Sequence, residues 1–185
     1  RLIQPGDVVF DVGANVGFYT LLAARRVGPD GQVIAFEPLP ANVRTLRTHL
    51  RLNTLRHVTV VEAAVADGLG NVRFAPHASN AMGHIDDHGS VAVPVVSLDS
   101  MIDGTDFRPP RVLKIDVEGA ELRVLRGAER ILRETKPIVL LATHGTQVHR
   151  ECCMLLRDAG YALEPLTSSA SSVEETDELL ATPCR

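Results

Sequence analysis

Short apolar runs of strand length alternate with segments of helical periodicity along most of this chain. The first two strands are predicted at residues 8–10 and 33–36, and the helical segments that follow them begin near Val16 and at Pro40. The first helix is expected to pack its apolar residues against the sheet, namely Phe18, Leu21, Leu22 and Ala24. Strands that alternate with helices in this way are typical of a parallel sheet covered on both faces.

Further strands are predicted at residues 58–65, 112–117 and 138–142, and a closing antiparallel pair at residues 161–166 and 179–182. We therefore expect an α/β fold with a single Rossmann-like, doubly wound sheet, mostly parallel and with one antiparallel strand near the C-terminus. A chain of 185 residues fits one domain over residues 1–185. Because the sequence starts shortly before the first strand, we also expect that an N-terminal segment is missing from it.

The alternation of strands and helices breaks between residues 67 and 91. Residues 72–74 can pair back as a short strand, and the polar stretch 76–90 is predicted to be mobile without a bound substrate and to order over the binding site. Possible metal ligands are concentrated there: His77, His84, Asp86, Asp87 and His88. Their spacing matches no zinc pattern and polar loops often contain such residues, so no metal is predicted.

Charge and cysteine usage narrow the partners and the compartment. A net charge of −4 argues against a nucleic acid duplex as a partner. No apolar run approaches the roughly 20 residues of a membrane span, and no secretory leader is recognisable. The three cysteines, Cys152, Cys153 and Cys184, cannot form a disulfide framework, which favours a reducing compartment and hence a cytoplasmic protein.

The strongest local signal is the segment Asp11-Val12-Gly13-Ala14-Asn15-Val16-Gly17, between the first strand and the first helix. Gly13 permits a tight turn and Gly17 lets the helix begin close to a ligand, as in nucleoside-binding sites. Asp11 is expected to point into the crevice, where a carboxylate repels a pyrophosphate and attracts a cationic amino-acid group. Asn15 stands where a dinucleotide-binding sequence has its second glycine.

Glu37 closes the second predicted strand, where a carboxylate can accept both hydroxyls of an adenosine ribose. Sheets that bind NAD and sheets that bind S-adenosylmethionine share this feature. An NAD-dependent oxidoreductase therefore remains an alternative, and so does a plain sheet turn with two capping carboxylates.

Ionisable residues cluster where the predicted central strand ends. Lys114 and Asp116 share one face of this strand, Glu118 follows, and His144 ends the neighbouring strand. Ligands of open α/β sheets bind beyond the carboxyl ends of the strands, so these four residues are the candidate catalytic groups. His144 is favoured as general base by its usual pKa. An ion pair of Lys114 with Asp116 that only stabilises the sheet, and an ordinary strand-end histidine, remain open.

Several segments together resemble the FkbM family of class I methyltransferases. They are residues 11–20, Phe36-Glu37-Pro38, Val96-Ser97-Leu98-Asp99 and Lys114-Ile115-Asp116-Val117-Glu118-Gly119-Ala120-Glu121. The resemblance extends over nearly the whole chain. It implies a seven-stranded sheet of the class I methyltransferase type, S-adenosyl-L-methionine as methyl donor, and O-methylation of a small molecule or sugar.

The resemblance also implies a set of cofactor-binding residues. It places four residues along the methionine part of the cofactor, namely Asp11, Gly13, Asn15 and Gly17. It places Glu37 on the ribose and Ala64 or Val65 against the adenine edge. Ala14, Pro38 and Asp116 complete the set. Members often carry a glutamate two residues before the histidine of the later strand, where this chain has Ala142, so a module that binds the cofactor without catalysis remains a further alternative.

Overall fold

A computed structural model describes residues 2–76, 83–85, 91–166 and 172–184 of the chain. The strands in this part of the chain are β1 (Val8–Val12), β2 (Gln32–Phe36), β3 (Val58–Val61), β4 (Ala64–Val65), β5 (Gly70–Pro76), β6 (Gly83–Ile85), β7 (Val91–Val96), β8 (Val112–Ile115), β9 (Ile138–Ala142), β10 (Tyr161–Pro165) and β11 (Glu178–Pro183). The α-helices are α1 (Phe18–Val27), α2 (Pro40–Leu52), α3 (Leu98–Gly104), α4 (Glu121–Arg126) and α5 (Thr146–Asp158), and shorter π- and 3₁₀-helical turns lie at Ile131–Thr135 and Val173–Glu175.

Seven strands form the main sheet in the order β10-β11-β9-β8-β1-β2-β3. Strand β8 lies at its centre, and β1 lies between β8 and β2 and pairs in parallel with both. Strand β11 runs antiparallel to both of its neighbours, β9 and β10. The predicted fold, with one antiparallel strand near the C-terminus, is confirmed.

The central strands are buried on both faces, which explains why β1 and β8 are apolar apart from Asp11 and Lys114. Every residue of β1 and of β8 is buried, and Phe10, Ile34 and Leu113 are completely inaccessible. Burying one such side chain contributes about 1.5–3 kcal/mol to folding. This core holds the strands firmly, so the residues at their carboxyl ends have fixed positions.

A second, four-stranded sheet has the order β4-β7-β5-β6 and was not expected as a unit. It confirms the short strand predicted at residues 72–74, which lies in β5. The prediction of one strand over residues 58–65 is wrong at its end, because β3 stops at Val61. Ala64 and Val65 pair with β7 instead, since Ala64 packs beside Leu39 away from the main sheet.

Helix α1 packs through a different face from the one expected. Ala24 is fully buried as predicted, but Phe18 is 73% exposed and Leu22 is 44% exposed. The helix begins at Phe18, directly after Gly17, whose φ is 96°. This start directs Thr20, Ala23, Ala24 and Val27 towards the sheet.

The structure describes only Pro76 and residues 83–85 of the segment 76–90. The predicted mobility of this segment and its candidate metal ligands therefore lie outside the described residues, apart from the backbone of His84. Within the part of the chain that is described, no helix has the length and apolarity needed to span a membrane.

Candidate functional site

The carboxyl ends of β1, β2, β8 and β9 meet at one edge of the main sheet, and the predicted site residues lie there. The turn after β1 is held against β2 by hydrogen bonds from the backbone N–H groups of Gly13 (3.1 Å) and Ala14 (3.0 Å) to the carbonyl oxygen of Phe36. Three of its residues have positive φ, which are Gly13 at 77°, Asn15 at 51° and Gly17 at 96°. This turn needs glycine at residue 13 for a second reason as well, which is its packing.

Gly13 packs directly on the backbone of Asp116. A Cβ atom at residue 13 would lie 1.9 Å from the carbonyl oxygen of Asp116, which is impossible without movement. Asp116 follows the last residue of β8, and its N–H donates to the carbonyl oxygen of Val12 (3.1 Å). The glycine turn and the acidic segment after β8 are therefore in contact through their backbones.

Glu37 lies at the end of β2 and is only 4% exposed. Its Oε2 accepts a hydrogen bond from the N–H of Asn15 (2.8 Å), and its Oε1 accepts from the N–H of Leu39 (3.0 Å) and from Nδ2 of Asn42 (3.1 Å). Burial raises the pKa of this carboxyl, and the three hydrogen bonds together with the charge of Lys114 oppose that rise. Glu37 thus fixes both the glycine turn and the turn into α2.

Asp11 does not face the open crevice, so the sequence-based expectation for its orientation is wrong. It is 1% exposed, and its Oδ2 accepts a hydrogen bond from the hydroxyl of Thr20 (2.6 Å). Its Oδ1 lies 3.0 Å from Nζ of Lys114. A neighbouring lysine on β8 and a threonine on α1 therefore engage this carboxylate inside the protein, which the sequence pattern alone could not show.

Lys114 links three parts of the site. Besides its contact with Asp11, its ammonium donates hydrogen bonds to the carbonyl oxygens of Gly13 (2.9 Å) and Val12 (3.3 Å). It lies 3.8 Å from Oδ2 of Asp116 and 5.3 Å from the centre of the Tyr19 ring. The shorter ion-pair distance of Lys114 is to Asp11. Its hydrogen bonds to the carbonyl oxygens of Val12 and Gly13 stabilise the glycine turn.

A histidine and three carboxylates meet beyond β8 and β9. Nε2 of His144 lies 3.9 Å from Oδ1 of Asp116 and 3.9 Å from Oε2 of Glu118. Nδ1 of His144 lies 2.7 Å from Oε1 of Glu121. The side chains of His144, Asp116 and Glu118 are 39%, 38% and 42% exposed, so a ligand can reach them. The structure brings these three predicted catalytic residues together.

The three carboxylates around His144 affect its pKa. Partial burial lowers the pKa, but the hydrogen bond and charge of Glu121, with the charges of Glu118 and Asp116, outweigh burial and raise it above its usual value. A carboxylate can only accept a hydrogen bond, so Nδ1 carries the proton in the neutral ring. Nε2 then has the free electron pair and faces the accessible side of the site.

The remaining predicted cofactor residues lie around the glycine turn and β2. Ala14 is buried within the turn, and Pro38 is half-buried directly after Glu37. Ala64 and Val65 are buried in β4, beyond the end of β3. Contact of these four residues with a cofactor stays a prediction. Among the described residues, no group of three or more His, Cys, Asp or Glu side chains is arranged to hold a metal ion.

Glu121 is the site residue that sequence reasoning missed. It belongs to the segment that carries the resemblance, but glutamate is rarely buried, so the sequence alone assigns it no role. A signal was present in the helical spacing. Glu121 shares one face of α4 with Val124 and Leu125, three and four residues later, and all three are buried.

Residues 11–163 match the Methyltransferase FkbM domain. The chain is 28% identical over 163 residues to the hexuronic acid methyltransferase AglP of Haloferax volcanii, and this covers 87% of the chain and 66% of that protein. It is 32% identical over 164 residues to the 31-O-demethyl-FK506 methyltransferase FkbM of Streptomyces tacrolimicus, covering 69% of the chain and 61% of that protein. The chain thus spans less than two thirds of the length of each relative.

Solved structures give the same fold. Methyltransferase FkbM from Methylobacillus flagellatus KT matches with a TM-score of 0.66 and 22% identity, over 98% of this chain and 44% of that chain. Fibrillarin from Aeropyrum pernix, solved with bound S-adenosyl-L-methionine, matches with a TM-score of 0.63 and 14% identity, over 98% of this chain and 68% of that one. The sheet is therefore of the class I methyltransferase type.

The matched domain includes the glycine turn, Glu37, the segment from Lys114 to Glu121, and His144. It supports the methyltransferase interpretation over the NAD-dependent oxidoreductase that the sheet pattern left open. The chain belongs to the FkbM family of methyltransferases.

Proposed function

We propose that residues 1–185 form the catalytic domain of an S-adenosyl-L-methionine-dependent O-methyltransferase. Its acceptor is a hydroxyl group of a sugar or another small molecule. The names of two relatives support this class of acceptor, since one is a hexuronic acid methyltransferase and the other acts on an O-demethylated FK506.

One observation carries the proposal. The glycine turn packs on the backbone of Asp116, so the turn that follows β1 and the cluster of Asp116, Glu118 and His144 are direct neighbours. Methyl transfer needs the donor sulfur, the methyl group and the acceptor oxygen in line, with a base beside the oxygen. A donor site next to an accessible histidine meets this requirement.

The residues present fit the cofactor. Oε2 of Glu37 accepts one hydrogen bond from the protein and has a further electron pair for a ribose hydroxyl. The exposed carboxylate of Asp116 is suited to the ammonium group of the methionine part. Asp11 is not suited to this ammonium group, because its two carboxylate oxygens already contact Thr20 and Lys114. We therefore assign Asp11 the role of fixing the Lys114 ammonium group next to the glycine turn.

When bound, the cofactor supplies the methyl group, which forms a bond to the acceptor oxygen as its bond to sulfur breaks and that electron pair stays on sulfur. His144 takes the proton of the acceptor hydroxyl at Nε2, the ring nitrogen that faces the accessible side. Asp116 and Glu118 lie near the same nitrogen and stabilise the positive charge that the ring then carries. Asp116 can also orient the hydroxyl.

Two measurements test this function. Calorimetry should show that the chain binds S-adenosylhomocysteine and does not bind NADH. Transfer of a labelled methyl group should then be measured with hexuronic acid sugars and macrolide hydroxyls as acceptors, using the full-length protein. The matched control for each acceptor is the same molecule with that hydroxyl already methylated, which should accept no label.

Two results would overturn the proposal. Binding of NADH without binding of S-adenosylhomocysteine would return the chain to the oxidoreductase alternative. Binding of S-adenosylhomocysteine with no methyl transfer to any acceptor would indicate a module that binds the cofactor without catalysis.

A further inference from the structure

Glu121 is a buried carboxylate that contacts His144, one of the three residues in the cluster of Asp116, Glu118 and His144. The residue is fully inaccessible at the start of α4. Its Oε1 accepts a hydrogen bond from the N–H of Gly119 (2.9 Å) and lies 2.7 Å from Nδ1 of His144. Its Oε2 is buried and has no hydrogen-bond partner among the described residues.

This arrangement is costly for a residue that only supports the fold. A charged group inside a protein is retained with difficulty, and well-packed apolar residues in place of buried charges are often neutral or stabilising. A buried oxygen without a partner adds to that cost and needs an explanation. The residues of α4 on the same face as Glu121, Val124 and Leu125, are fully buried and apolar, so an apolar side chain would suit this position.

We propose that Glu121 is a positioning residue for His144. It fixes the proton on Nδ1, holds the ring with Nε2 towards the acceptor, and makes Nε2 a stronger base. This inference rests on the proposed function, in which His144 accepts the proton of the acceptor hydroxyl. Paired histidines and carboxylates act in this way in other catalytic sites, where the carboxylate orients the ring and stabilises its charged form.

The groups that face His144 differ in how they can act on it. Asp116 and Glu118, which follow β8, are accessible and lie 3.9 Å from Nε2, beyond hydrogen-bond distance. Lys114 lies 3.8 Å from Asp116 and reduces the effect of that carboxylate. Glu121 alone among these groups is shielded from water and bonded to the ring. It should therefore dominate the basicity and the tautomer of His144.

Glu121→Gln separates charge from orientation. The amide oxygen can keep the two contacts of Oε1, with Gly119 and with Nδ1 of His144, while the negative charge is removed. Titration of the histidine ring by NMR should show that the pKa of His144 is lower in this variant than in the parent protein. Glu134→Gln is the matched control, because Glu134 is exposed and precedes β9, and it should leave the titration of His144 unchanged.

Kinetics supply the second measurement. As pH rises, kcat/KM should increase as His144 loses its proton, and in Glu121→Gln this rise should shift to lower pH by the same amount as the NMR titration. At high pH, kcat should be at least about tenfold lower, because the base is weaker. The affinity for S-adenosylhomocysteine should stay the same. In a His144→Ala background, Glu121→Gln should cause no further loss.

Glu121→Met keeps the test valid if the amide variant folds poorly, since it fills a similar volume without buried polar atoms. It should fold, retain cofactor affinity and lose turnover. A lower melting temperature in both variants with an unchanged His144 titration and pH profile would overturn the inference. If the titration shifts but His144→Ala has full turnover, the proposed function of His144 fails while its control by Glu121 stands.

Discussion

Glu37→Gln tests whether the carboxylate at the end of β2 binds the ribose and shapes the turn around it. The substitution keeps the shape of the side chain and replaces one acceptor oxygen with an NH₂ group. Both oxygens accept hydrogen bonds in the structure, Oε2 from Asn15 and Oε1 from Leu39 and Asn42. Whichever way the amide is oriented, its NH₂ group therefore meets at least one N–H donor.

The magnitude follows from those contacts. A hydrogen bond to a charged group contributes about 1.5–3 kcal/mol, so the free energy of unfolding should fall by about that amount when one is lost. Loss of a ribose contact should weaken binding of S-adenosylhomocysteine by about 1–3 kcal/mol, which corresponds to roughly 5- to 150-fold in Kd. Calorimetry and urea denaturation measure the two quantities. Glu164→Gln, an exposed residue on edge strand β10, is the matched control.

Because Glu37 is ionisable, both cofactor affinity and protein stability should depend on pH. Ribose binding needs the ionised carboxylate, and the pKa of Glu37 is raised, chiefly by burial. Affinity should therefore decline, as pH falls, at a higher pH than an ordinary glutamate would give. Without ligand the sign is opposite for stability: the protonated form is favoured by the fold, and this contribution is lost as pH rises through the raised pKa. Unchanged affinity in Glu37→Gln would refute the ribose assignment.

Three further substitutions test neighbouring contacts. Asp116→Asn should lower turnover about a hundredfold or more with nearly unchanged cofactor affinity if Asp116 orients the hydroxyl, whereas equal losses in calorimetry and turnover would assign it to the ammonium group. Lys114→Met should lower the free energy of unfolding by about 3–5 kcal/mol in urea denaturation, because Asp11 is left buried without its cation; a loss within error of zero contradicts this. Gly13→Ala should lower both Tm and cofactor affinity, since the new Cβ would meet the backbone of Asp116, and a variant with normal Tm would show that this contact is not close.

The sheet was predictable because its strands are marked by their own sequences. Buried parallel strands such as β1 and β8 are apolar runs interrupted only by Asp11 and Lys114, and Gly28 with Pro29 marks the end of α1. Pairing partners are not marked in this way. Residues 58–65 are apolar apart from Thr59 and Glu62, yet Val61 belongs to the main sheet and Ala64 to the second one. An apolar pattern marks a strand, and tertiary packing decides which strand it pairs with.

The candidate site shows the same division. Positions at strand ends were predictable, so the sequence placed Asp116, Glu118 and His144 at the same edge of the sheet. Orientation was not predictable. Asp11 turns inwards because a lysine on an adjacent strand and a threonine nine residues later engage it, and these contacts exist only in three dimensions. Glu121 was missed because its burial depends on how α4 packs.

Strand β11 is synthesised later than every residue of the site. It completes the pairing of β9, and the segment before it holds the residue next to His144, since the N–H of Thr143 donates to the carbonyl oxygen of Asp177 (2.8 Å). Chains fold from the N-terminus as they leave the ribosome. A nascent chain can therefore assemble the glycine turn and Glu37 while the histidine still lacks its outer support. We expect a chain that stops before Glu178 to keep strands β1 and β2 paired and to leave His144 without a fixed position.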